Sequence, residues 1–206
     1  MWFVRHGEAE HNPFIVKGKK DGDEGLLRRG RSILDPSLTP TGREQAAELR
    51  RSLEASGARF DLVVTTPLSR AVETADLAFR GLADRFIVTP EATETAEERL
   101  GGPQRGVSTR ALLGKFPFLR EGWDLTAMRE GDNWVLGSAD VLGGAGYYHP
   151  LAVEARLEPL RHWLKGLPFE RVVVVGHSNV FDRLLGLQMA NCQLVEHDLD
   201  APAETR

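Results

Sequence analysis

Near its start the chain carries Arg5-His6-Gly7-Glu8, residue types suited to attack on a phosphorus centre. A nucleophilic imidazole must be neutral and held in one tautomer, and the phosphate it attacks needs adjacent positive charge. Arg5 can supply that charge as a planar fork, and Gly7 lets backbone approach closely. By itself the tetrapeptide fits a half-buried histidine at a strand end equally well. A second cluster lies in Thr65-Thr66-Pro67-Leu68-Ser69-Arg70-Ala71, which places Arg70 in the first turn of a helix. A cation there opposes the helix dipole, so a bound anion makes better sense of it. The alternative is an exposed arginine paired with Glu73 or Glu44. The third cluster, Val175-Gly176-His177-Ser178-Asn179, sets an imidazole at the mouth of an apolar strand, where it could donate to a phosphoryl oxygen. A core histidine satisfied by backbone is the other reading, with Ser178 or Asn179 as the helix cap.

These clusters need a scaffold that brings them together, and the hydrophobic pattern supplies one. Short strands are expected at Trp2 to Arg5, Phe60 to Thr65, Arg85 to Val88 and Arg171 to Val175, with a weaker one around Leu194 to Leu199. Helices are expected between them. One has Thr39 as N-cap and Pro40 at its first position and runs to Gly57, another follows Thr66-Pro67, and one starts near Ser108. A long one opens at Pro150 and closes at Gly166, and a last one covers Asn179 to Met189. Alternating strands and helices predict an α/β fold, with Val172 to Val175 buried on both faces as a central parallel strand. Ligands in such sheets bind beyond the carboxyl ends of the strands, where Arg5-His6, Arg70 and His177 all fall.

The 206 residues suit one domain with a substantial core. Two stretches fit the pattern poorly: a charge-rich segment at about 17–35, expected as a loop insertion, and an irregular, Gly-rich cap at about 91–148. A net charge of -4 argues against nucleic acid as the main partner. No apolar run reaches membrane-spanning length, and Trp2-Phe3-Val4 does not resemble a secretory signal. Cys192 is the only cysteine, which rules out an intramolecular disulfide and a cysteine-rich metal site and points to the cytoplasm.

The motifs together resemble the histidine phosphatase superfamily, the phosphoglycerate-mutase-like branch 1. They are Val4-Arg5-His6-Gly7-Glu8, His11-Asn12, Asp35 with Leu38-Thr39-Pro40-Thr41-Gly42 and Gln45-Ala46, Pro67-Leu68-Ser69-Arg70-Ala71 with Thr74-Ala75, and Val175-Gly176-His177-Ser178. They recur in the family's order along the chain, and the His-Asn pair before a long segment is most like a fungal and plant branch. The resemblance implies a three-layer α/β/α sandwich with a mostly parallel central sheet. It also implies His6 as a nucleophile forming a phosphohistidine, and Arg5, Asn12, Arg70 and His177 as the phosphate pocket. The general acid that the family places after the third strand, in a Pro-x-x-x-Glu context, falls at Glu94, with Glu97 and then Glu98 as rivals.

That reading implies a metal-independent phosphatase acting on a small phosphate ester, with no metal, no cofactor, and neither nucleic acid nor membrane as partner. Thr93-Glu94-Thr95-Ala96-Glu97-Glu98-Arg99-Leu100 lacks the Asn-Glu-Arg-like segment of the family's mutases, so hydrolysis is favoured over phosphoglycerate mutase activity. A pseudoenzyme that binds phosphate without turnover is the third possibility. Lys17, Lys19, Lys20, Arg28, Arg29 and Arg31 could steer a polyanion, although Asp21, Asp23 and Glu24 dilute them. Trp123, Trp134, Tyr147 and Tyr148 could form an apolar lid, or pack the irregular segment onto the sheet.

Overall fold

The computed structural model describes residues 1–94, 106–128 and 150–200, with side chains of the last segment from 156 onward. Six strands form one sheet in the order β4-β3-β2-β5-β1-β6. They are β1 (Trp2–Arg5), β2 (Phe60–Thr65), β3 (Ala83–Val88), β4 (Trp123–Asp124), β5 (Val172–Gly176) and β6 (Leu194–Glu196). All pairings are parallel except that of β1 with the edge strand β6. The helices are α1 (Asn12–Asp21), α2 (Glu24–Ser32), α3 (Pro40–Ala55), α4 (Ser69–Phe79), α5 (Thr109–Lys115), α6 (Pro150–Lys165) and α7 (Ser178–Leu185).

The period of two along each strand divides the core into two layers. Leu62, Val64, Val172 and Val174 face α6 and α7 through Leu157, Leu160, Leu164, Val180, Phe181 and Leu184. Val63, Val173 and Val175 face α3 and α4 through Leu53, Ala71, Ala75, Ala78 and Phe79. Burial on both faces is why β5 reads as an unbroken apolar run, and the result is the expected three-layer α/β/α sandwich. In register, Arg5 lies beside Gly176, and Thr65 beside Val175 and Val88. The carboxyl ends of β1, β5, β2 and β3 therefore open in a row.

The segment at 17–35, expected as a loop, is helical instead. Gly22, in the left-handed region at φ 66°, ends α1, and the Asp23 carboxylate accepts from the Gly25 and Leu26 amides to start α2. The two helices pack closely enough that a Cβ at Gly18 would lie 2.8 Å from the Leu27 side chain. The charge-rich composition concealed this narrow contact stripe, because most of both helices' surface faces solvent. Lys17 there pairs with Asp21, and Arg29 lies over the Phe14 ring.

Other boundaries moved by a few residues. The helix expected from Pro67 starts at Ser69, and the one expected to reach Met189 ends at Gly186, in the left-handed region. Of the cap segment, residues 106–128 carry α5, a short 3-10 turn at Pro117–Arg120 and β4, packed against β3. Trp123 stacks on Phe86 with ring centroids 4.4 Å apart, so it extends the core and does not form a lid. Trp134, Tyr147 and Tyr148 lie outside the described residues.

Candidate active site

The nucleophile candidate His6 follows β1 directly, and its amide donates to the Gly176 carbonyl, extending the β1–β5 register by one residue. The turn after it is gripped from several sides. The Gly7 amide donates to the Thr74 hydroxyl and the Glu8 amide to the Gln45 side chain. The Thr39 amide donates to the Glu8 carbonyl, and its hydroxyl to the Glu8 carboxylate. Thr39 also caps α3 by accepting from the Gly42 amide. The Leu38-Thr39-Pro40-Thr41-Gly42 motif is thus a helix start pressed onto the histidine turn. Contact is so close that a Cβ on Gly7 would sit 2.6 Å from the Gly42 carbonyl oxygen.

His6 is 2% exposed. Its Nδ1 donates to the Gly7 carbonyl at 2.7 Å, since a carbonyl can only accept. The neutral ring therefore presents the Nε2 lone pair, which accepts from Arg70 Nε at 3.0 Å. Burial, then the charges of Arg70 and Arg5, hold the imidazole well below its ordinary pKa and keep it neutral at physiological pH.

Arg70, 1% exposed, is the most voluminous fully buried side chain among the described residues, so the surface pairing with Glu73 or Glu44 does not occur. Glu73 instead holds Arg43 and the Leu38 amide, and Glu44 pairs with Arg51. Asp35 secures the start of the helix carrying Arg70, accepting from both the amide and the hydroxyl of Ser69. Lys115 reaches the same Ser69 hydroxyl from α5.

The His177 ring lies 5.2 Å from that of His6, centroid to centroid, and is fully buried. Its Nε2 shares a 2.9 Å hydrogen bond with the Thr66 hydroxyl, not with backbone. Its Nδ1 has no hydrogen-bond partner among the described residues. Burial, then the charges of Arg70 and His6, push its pKa well down.

Arg5 donates to the Met189 carbonyl. Burial lowers its pKa, and the charge of Glu94 opposes that shift most strongly, which sets the Glu94 carboxylate within electrostatic reach of the pocket. Glu94 itself is buried at 8% exposure. The rivals Glu97 and Glu98 lie outside the described residues.

Asn12 opens α1, and its Oδ1 accepts from the Ala9 amide, which turns its Nδ2 toward His11 Nε2 at 3.2 Å. His11 was named only as part of a motif, yet its ring is 6.4 Å from His6 and its pKa falls to about 3, through burial and then Arg70 and Arg5. Thr66 and Asn191, whose amide donates to the His6 carbonyl, were also missed. Thr66 was open to discovery, since it follows a strand at the carboxyl edge. Asn191 carries no local signal. Among the described residues no cluster of three or more His, Cys, Asp or Glu could hold a metal ion, and no helix is long and apolar enough to cross a membrane.

Sequence comparison decides the lineage of this constellation. The sequence model of the histidine phosphatase superfamily (branch 1) matches residues 1–200. The chain belongs to that superfamily. A Schizosaccharomyces pombe protein named as a probable phosphatase is 31% identical over 134 residues, covering 63% of this chain and 53% of the relative. A 2,3-bisphosphoglycerate-dependent phosphoglycerate mutase of Parvibaculum lavamentivorans is 34% identical over 105 residues, covering 51% of this chain and 43% of the mutase. The chain thus spans about half the length of these curated relatives. The histidine phosphatase fold is matched by the crystal structure of the alpha-ribazole phosphatase from Shigella flexneri, with a TM-score of 0.53, 21% identity and coverage of 94% of this chain and 87% of that one.

Proposed function

We propose that this superfamily member is a metal-independent phosphatase that hydrolyses small phosphate monoesters through a phosphohistidine on His6, within one domain and in the cytoplasm. The observation that carries the reading is the 3.0 Å contact between Arg70 Nε and the His6 Nε2 lone pair, with a second imidazole 5.2 Å away. A buried guanidinium aimed at a nucleophile's lone pair is of little use except to an anion arriving there, which would take over that N–H. By this reading Arg5, Asn12 and His177 would offer further donors to the same phosphate.

The chemistry then runs in two in-line steps. His6 Nε2 gives its lone pair to phosphorus, the P–O ester bond breaks, and Glu94 protonates the departing oxygen. The positive charge on the phosphorylated ring is stabilised by the Nδ1–H bond to the Gly7 carbonyl. Water then gives a proton to the Glu94 carboxylate and attacks phosphorus, the P–N bond breaks, and neutral His6 and inorganic phosphate result. Two guanidinium groups provide the compensating charge that a metal ion provides elsewhere, and the neutral His177 ring can add an N–H donor.

Rapid acid-free quenching with a labelled phosphate ester tests the scheme. Wild-type protein should retain an acid-labile, base-stable label, His6→Ala should retain none and lose turnover, and a chelator should change nothing. Interchange of 2- and 3-phosphoglycerate, or tight binding without phosphate release, would instead establish the mutase or the non-catalytic binder.

A further inference from the structure

Arg156, on α6, is 7% exposed and lies far along the chain from the other pocket residues. Its guanidinium donates to three backbone carbonyls: Pro90 and Glu91 through Nη1, at 3.4 and 2.9 Å, and Thr93 through Nη2, at 2.5 Å. Those carbonyls belong to the 3-10 turn after β3 and the residue immediately before Glu94. Among the described residues the turn is also held by the Thr89 amide, which donates to the Thr65 carbonyl at 2.8 Å, by the Thr89 hydroxyl, which accepts from the Glu91 amide at 3.4 Å, and by the Thr93 amide, which donates to the Pro90 carbonyl.

We infer that Arg156 is a positioning residue for general acid catalysis, which clamps the turn so that the Glu94 carboxyl is held over the leaving oxygen. Three observations carry this. Burying an arginine carries a heavy desolvation cost, and this one directs both terminal nitrogens to the turn carrying the acid, where a neutral side chain would serve ordinary packing more cheaply. Its charge also reaches the pocket, since it contributes to lowering the pKa of His177. Finally, a planar fork fixes several carbonyls at once in a way that a flexible ammonium does not. A proton donor needs placement within hydrogen-bond reach of the proton acceptor, so a turn that drifts by about 1 Å loses general acid catalysis before it loses the fold.

The inference rests on Glu94 being the acid, so the experiment tests both together. The assay is kcat/KM, which in a phosphoenzyme mechanism reports only steps through loss of the alcohol. An alkyl phosphate, whose alkoxide needs a proton to leave, is compared with p-nitrophenyl phosphate, whose phenolate does not. The alkyl-to-aryl ratio cancels the fraction of protein that is folded, so partial unfolding cannot mimic the effect. Glu94→Gln should lower the ratio by about 10²-fold or more. Arg156→Met should lower it about tenfold, and Arg156→Lys should recover part of that loss. An unchanged ratio in Arg156→Met beside a fallen one in Glu94→Gln would make Arg156 merely structural and overturn the inference alone. An unchanged ratio in Glu94→Gln would remove Glu94 as the acid and take the inference with it.

Discussion

Among the described residues three imidazoles are buried and neutral, His6, His11 and His177, and protonating them near neutral pH requires unfolding. A histidine whose folded pKa is depressed contributes stability above its unfolded value of about 6.5, lost as pH falls below it, because only the unfolded chain then gains a proton. From pH 7 to pH 5 the loss is about 1.9 kcal/mol for each such histidine, or about 6 kcal/mol for three. Asp35 works in the opposite sense, since burial raises its pKa and the folded chain gains its proton first, which offsets part of the histidine loss. The net loss should therefore stay below about 6 kcal/mol, a large share of the stability of a modest domain. Urea unfolding followed by tryptophan fluorescence, at half-unit steps and constant ionic strength in phosphate-free buffer, measures it. His11→Gln should reduce the loss by about 2 kcal/mol. A change below about 1 kcal/mol in the wild type over that range would refute the claim that these rings are neutral in the fold.

Two further outcomes follow from packing. Gly7→Ala should cost at least about 3 kcal/mol in chemical denaturation, because its Cβ would meet rigid backbone at Gly42 and neither the strand end nor the start of α3 has room to yield. Asp35→Ala removes both acceptors of Ser69 and should cost about 2 to 4 kcal/mol, with a rise in KM for phosphate esters as the first turn of α4, and Arg70 with it, loosens.

The sequence by itself determined the layered fold and most of the residues that converge. An apolar run such as Val172 to Val175 has few homes other than the middle of a parallel sheet, and parallel strands put their carboxyl ends on one edge. His6 and His177 had to meet there. Local chemistry also marked the helix starts, since Thr39-Pro40 and Ser108 announce themselves through caps. Tertiary structure alone decided the rest. Whether Arg70 turned inward to His6 or outward to Glu73 depended on a buried lone pair contributed by a strand 64 residues away. The partner of Asp35 and the grip of Arg156 on the Glu94 turn are likewise contacts between residues distant in sequence. Backbone periodicity fixes which face a side chain takes, whereas its hydrogen-bond partner depends on what other parts of the chain bring to that face.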